Sequence, residues 1–129
     1  MLVLKKYQEQ ALETLQAFLQ QCRFSTVSDA YSKILAKQKR FNEPYNTIFA
    51  GTPCVCLRVP TGGGKTLLAA HSIAIAAQTL LDSDAPVALW LTPSDTIRSQ
   101  TLQALADIRH PYREALAKTL KLDLNDIRV

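Results

Sequence analysis

Glycine is scarce in this chain. There are four in 129 residues, and three of them stand in one run, Gly62-Gly63-Gly64. Cysteine is scarcer still. Cys22, Cys54 and Cys56 are an odd number that cannot all pair, which excludes a disulfide-stapled secreted scaffold and suits a reducing cytoplasm. No apolar run approaches the roughly 20 residues that span a bilayer. The opening MLVLKKYQEQ lacks the charged-then-apolar pattern of a signal peptide, so no membrane partner is expected. A complete metal cluster is missing too. Cys54-x-Cys56 would put two thiols on one face of a strand, but no further Cys/His cluster completes four ligands. Buried structural cysteines are the more ordinary reading of that pair. His71 and His110 have no evident catalytic partner in the sequence.

What is present is an ordinary globular composition, 47% hydrophobic and 20% charged, in a chain long enough for one domain with a real core. The net charge of +4 is uneven: residues 1–40 hold seven basic and three acidic residues, and the remainder balances. A basic N-terminal third is compatible with a nucleic-acid or polyphosphate partner, and equally with a solvated helix face.

Apolar spacing predicts a helix over 5–21, with Tyr7, Ala11, Leu12, Leu15, Phe18 and Leu19 on its buried stripe. A second helix is predicted over 28–39, with Ser28 as N-cap and Tyr31, Ile34 and Leu35 inward. Residues 40–53 carry Asn42, Pro44, Asn46, Gly51 and Pro53 and read as an irregular connection. CVCLRV, 54–59, fits a buried strand, 65–81 a helix buried on more than one side, and VALWL, 87–91, a second strand. Helical pattern resumes from Ser94 to Ala106 and from Pro111, well placed as a first helical residue, to about Leu120. The closing DIRV resembles a third strand beginning. Strands alternating with helices predict βαβ units, so the expected fold class is α/β, a parallel sheet with flanking helices preceded by two N-terminal helices.

A glycine-rich turn between a strand and a helix makes an anion site. Its backbone N–H groups converge, and the helix N-terminus adds partial positive charge. In Pro60-Thr61-Gly62-Gly63-Gly64-Lys65-Thr66 the lysine would reach the β- and γ-phosphates and the Thr66 hydroxyl would ligate Mg²⁺. The strict P-loop pattern asks for glycine at position 59, where this chain has Val59.

VPTGGGKT resembles motif I of the superfamily 2 helicases, A-x-T-G-x-G-K-T, in which that first glycine is commonly replaced. Upstream, LKKYQEQALETL looks like their L-R-x-Y-Q-x-x-A segment, and downstream ALWLTPSDTIRSQ looks like motif Ia, P-T-x-x-L-x-x-Q. The combination is most similar to DEAD/DEAH-box proteins of the type III restriction enzyme ATPase-subunit kind. The resemblance implies a partial RecA-like domain binding ATP and Mg²⁺. Residues 1–22 would form the adenine-motif helix, 27–40 an inserted basic helix and 54–129 the P-loop core. It implies that Gln8 reads adenine through its paired donor and acceptor, with Tyr7 beside the base; the alternative is an ordinary amphipathic helix with Tyr7 inward and Gln8 solvated. It implies that Pro93, Ser94 and Gln100 contact a nucleic-acid backbone, to which Arg98 could add. Asp95 stands where the DEAD-box form has arginine, which favours DNA over RNA as the partner.

Hydrolysis also needs an acidic residue on Mg²⁺, a group that positions water, and usually an arginine. The acidic residues after Thr66 are Asp82, Asp84, Asp95, Asp107, Glu114, Asp123 and Asp126, none in a D-E pair. The expectation is therefore the N-terminal part of a helicase or translocase of restriction-enzyme type, whose arginine comes from a second RecA-like domain, the fragment itself hydrolysing ATP poorly. Two other readings stand beside it. One is a nucleotide-binding interaction module without motor activity; the other is an unusual P-loop kinase, disfavoured by Val59 and by Tyr7-Gln8.

Overall fold

The computed structural model describes residues 3–41 and 43–129. Residues 1–2, counted above in the adenine-motif segment 1–22, and Asn42, counted in the turn-rich connection, lie outside them. Among the described residues five α-helices form: α1 (Lys6–Cys22), α2 (Val27–Lys37), α3 (Lys65–Ala76), α4 (Asp95–Ala106) and α5 (Pro111–Leu120). A π-helical turn, Ala77–Leu81, extends α3, and a short 3-10 turn, Leu124–Asp126, precedes the C-terminus.

The expected parallel sheet is overturned. Among the described residues there is no strand: 54–59, 87–91 and 126–129 form no ladder. A strand exists only where a neighbour supplies hydrogen bonds, and an apolar run does not supply one. Val87, Leu89 and Leu91 are 100%, 85% and 82% exposed. The face of α3 expected to lie on a sheet packs on α5 instead. The expected strand at DIRV is likewise replaced, since Asp126 closes the 3-10 turn.

The helices pack in the spatial order α2, α1, α3, α5, α4. α3 is buried on two sides, as its apolar length suggests. Towards α1, Ile75, Ala76 and Leu80 meet Leu15, Phe18 and Leu19. Towards α5, Leu67 and Ala70 join Leu105, Ala115 and Leu116, and Ala74 and Ala77 meet Leu120. Ala70, Ala74 and Ala77 are 0% exposed; small residues every three or four positions let the helix backbones approach closely.

α1 corrects the expected stripe. Its buried residues are Gln8, Leu12, Leu15, Phe18 and Leu19. Gln8 continues the 12-15-19 row one turn further, and Tyr7 flanks it. The cap of α2 also moves: Thr26, not Ser28, is the N-cap, its hydroxyl accepting from the Asp29 N–H at 3.2 Å and donating to the Asp29 carboxylate at 2.8 Å. Phe18 and Tyr31 meet edge to face, centroids 6.2 Å apart, which fastens α2 to α1.

Arg113 ties down the C-terminal segment. It is buried, and its guanidinium donates to the carbonyls of Leu105 at 2.7 Å, Leu124 at 2.9 Å and Ile127 at 2.8 Å. A planar five-donor fork suits such a convergence of carbonyls. His110 caps α5, its Nδ1 accepting from the Tyr112 N–H at 3.3 Å.

Candidate nucleotide site

The glycine run adopts the backbone that only glycine takes cheaply. Gly62 and Gly64 have φ of 75° and 81°, in the left-handed region. Gly64 is the N-cap of α3, and the first helical bond runs from the Leu68 N–H to the Gly64 carbonyl at 3.0 Å. The N–H groups of Lys65, Thr66 and Leu67 precede that ladder, which leaves the start of α3 rich in donors. Gly63 is buried and excluded from substitution by its neighbours: a Cβ there would lie 2.5 Å from Val59 Cγ1 and 2.8 Å from the Pro60 carbonyl. The valine that departs from the strict pattern thus packs where Gly63 has no side chain.

α1 braces this loop through one atom. The Gly63 carbonyl accepts from the Tyr7 hydroxyl at 2.9 Å and from Gln8 Nε2 at 2.8 Å. Gln8 Oε1 accepts from the Lys5 N–H at 2.8 Å, so the same amide caps the start of α1. A Cβ on Gly64 would lie 2.6 Å from Gln8 Nε2. Gln8 is 5% exposed and Tyr7 39% exposed, the reverse of an ordinary amphipathic arrangement. Sequence reasoning missed the shared carbonyl; the signal available was a glutamine on the apolar row, where a solvated residue has no business.

Lys65 Nζ donates to the Pro60 carbonyl at 3.3 Å, curling over the loop. Thr66 is half-buried in the first turn of α3. Thr61 is exposed at the loop tip. A groove of about 370 Å³ opens beside Tyr7, between α1, α2 and residues 55–58, with Gln10, Gln38 and Arg58 on its walls.

Pro93, Ser94, Arg98 and Gln100 are not brought to this loop. They lie at and after the N-terminus of α4, which packs on α5. Ser94 is the N-cap, its hydroxyl accepting from the Ile97 N–H at 3.3 Å. Arg98 is paired with Asp95 at 2.7 Å, both exposed. Pro93 and Gln100 are also exposed.

The thiols correct another expectation. Cys56 is exposed, and Cys54 and Cys22 are half-buried, so Cys54 and Cys56 are not a buried structural pair. Partial burial pushes the Cys22 thiol up. Among the described residues no group of His, Cys, Asp or Glu side chains could hold a metal, and no helix is long and apolar enough to cross a membrane. His71 lines a cavity of about 520 Å³ between α3 and α5, with Glu9, Glu114 and Lys118 also on its wall. Burial and the Lys118 ammonium hold its imidazole below the ordinary histidine range.

A glycine loop that opens a helix and turns N–H donors outward is the device of phosphate-handling proteins as a class. The family model described as "Type III restriction enzyme, res subunit" matches residues 1–128, and the chain belongs to that family, which carries a superfamily 2 helicase-type ATPase domain. No curated protein and no solved structure matches the chain.

Proposed function

We propose that this chain is the nucleotide-binding part of an ATP-dependent helicase or translocase that acts on DNA and is of restriction-enzyme type. The observation that carries this is the loop Gly62–Thr66 at the N-terminus of α3, braced from α1 by Tyr7 and Gln8 on one carbonyl. The triphosphate of ATP lies over the loop. The N–H groups at the start of α3 donate to its oxygens, and the Lys65 ammonium moves from the Pro60 carbonyl to the phosphates. The exchange trades a neutral acceptor for an anionic one, which is about twice as strong a partner. The base lies beside Tyr7, and Gln8 turns its amide from the Gly63 carbonyl to the adenine edge.

Mg²⁺ fits the residues present. The Thr66 hydroxyl stands in the first turn of α3, and a cation that keeps several waters and takes phosphate oxygens needs few protein ligands. When bound, it neutralises charge developing on the phosphates. Residues 67–129 hold no Asp-Glu pair, so the chain binds ATP but turns it over slowly without acidic and arginine groups from elsewhere in a parent enzyme. Pro93, Ser94, Arg98 and Gln100 at the exposed start of α4 contact the DNA backbone, Arg98 exchanging Asp95 for a phosphate.

The test is titration with a fluorescent ATP analogue in Mg²⁺, competed with ATP and with GTP, on the wild type, Lys65→Ala and Gln8→Ala. ATP-selective binding that both variants lose is the expected result. Binding indifferent to Lys65→Ala would remove the phosphate role of the loop.

A further inference from the structure

α1 and α2 lie side by side, and a second groove, of about 450 Å³, runs between the C-terminal half of α1 and the outer face of α2. Gln20 and Gln21 come from α1, Lys33 and Lys37 from α2, and Phe24 from the turn joining them. Among the described residues no acidic side chain lines it. Phe24 is 84% exposed, so its ring contributes almost nothing to the core, although a buried aromatic ring is among the largest contributors a small domain has. Lys33 and Lys37 are exposed, one helical turn apart on the same face. The ion pairs of the described residues, Arg40–Glu43 and Arg98–Asp95, involve neither lysine. The groove therefore combines two cations that form no ion pair among the described residues, two amides that both donate and accept, and an unsupported aromatic face.

We infer that this groove binds a segment of single-stranded nucleic acid, with Lys33 and Lys37 on phosphates of the strand and one base stacked on Phe24. Asp29 stands one turn before Lys33 on α2, but its carboxylate accepts from the Thr26 hydroxyl and does not line the groove; the positive charge on the groove wall selects a polyanion. The exposed ring selects an unstacked base, because the bases of a duplex are already stacked on one another and offer no free face. The surface is separate from the start of α4. In the packing order α2, α1, α3, α5, α4 α3 and α5 come between the two. It adds a second nucleic-acid contact to the function proposed above and uses none of the nucleotide-binding residues.

The test is fluorescence anisotropy of labelled oligothymidylate, oligouridylate and a DNA hairpin duplex across a salt series. The proteins are the wild type, Phe24→Ala, the double variant Lys33→Gln/Lys37→Gln, and Arg98→Ala. The substituted side chains are all exposed, and thermal melts and far-UV circular dichroism serve as controls for folding. Phe24→Ala is expected to weaken single-strand binding about tenfold and leave duplex binding unchanged. The lysine variant is expected to flatten the slope of log affinity against log salt by about 1.4. Tighter thymidylate binding assigns DNA to the groove and tighter uridylate binding assigns RNA. The inference is overturned if folded Phe24→Ala binds single strands like the wild type. It is also overturned if single-strand and duplex binding fall together, if Arg98→Ala alone removes binding, or if the wild type does not bind at low salt. Loss of ATP-analogue binding in Lys65→Ala with an unaltered oligonucleotide affinity, or failure of the analogue to bind at all, bears only on the nucleotide site.

Discussion

The Gly63 carbonyl offers a sharp test of how α1 and the glycine loop are joined. Two donors serve it, the Tyr7 hydroxyl at 2.9 Å and Gln8 Nε2 at 2.8 Å. Removing one leaves the other. Tyr7→Phe forfeits one neutral hydrogen bond from a part-exposed group, about 1 kcal/mol at most. Gln8→Ala forfeits a hydrogen bond to the same oxygen and the cap on the Lys5 N–H, together about 2 kcal/mol. The double variant strips a buried residue's carbonyl of both protein donors. It should therefore cost more than the sum of the singles by about 1–2 kcal/mol, the desolvation penalty of an orphaned acceptor. Urea denaturation followed by far-UV circular dichroism gives the three differences from the midpoints, provided the slopes agree. For a chain of this length each kcal/mol moves the melting temperature by about 4 °C, so a thermal series gives an independent reading. Additivity of the two substitutions within about 0.4 kcal/mol, the ordinary limit for uncoupled sites, would refute the shared-acceptor account.

Two further outcomes are expected. Gly63→Ala places a methyl group 2.5 Å from Val59 Cγ1 and should cost about 1–3 kcal/mol; adding Val59→Ala should recover part of that loss but not all, because the Pro60 carbonyl, 2.8 Å away, stays, and a melt showing no recovery would refute this account of the loop. The folded-state pKa of His71 is lowered, so the unfolded chain takes up a proton first as pH falls through about 6.5. The His71 contribution should be complete above that pH and decline below it, and His71→Gln should remove that part of the difference between melts at neutral and mildly acidic pH. An unchanged difference would show that His71 is not its source.

The helices were legible because their information is local. Apolar residues at helical spacing and Pro111 as a first helical residue describe contacts within a few positions, and α3, α4 and α5 follow them. The sheet was not legible, because a strand is a relation between segments. CVCLRV and VALWL have the composition of strands, yet neither finds a partner among the described residues. At the candidate site, the glycine run and Lys65-Thr66 could be read directly. Gln8 was singled out by resemblance, although its place on the apolar row of α1 also marked it; its contact with Gly63 spans 55 positions, a distance that no periodicity carries. Arg113 was missed for a similar reason: its partners at Leu124 and Ile127 are backbone oxygens, which leave no mark on the sequence.

The segment Val87–Leu91 has a consequence for handling the protein. Three of its five side chains are almost wholly in water, it carries no charge or proline, and its residues favour extended structure. Short segments of that kind are where separate chains adhere to one another. Loss of material during concentration should therefore begin there. A single lysine at Leu89, which is 85% exposed and outside the core, should raise the attainable concentration while leaving the melting temperature unchanged.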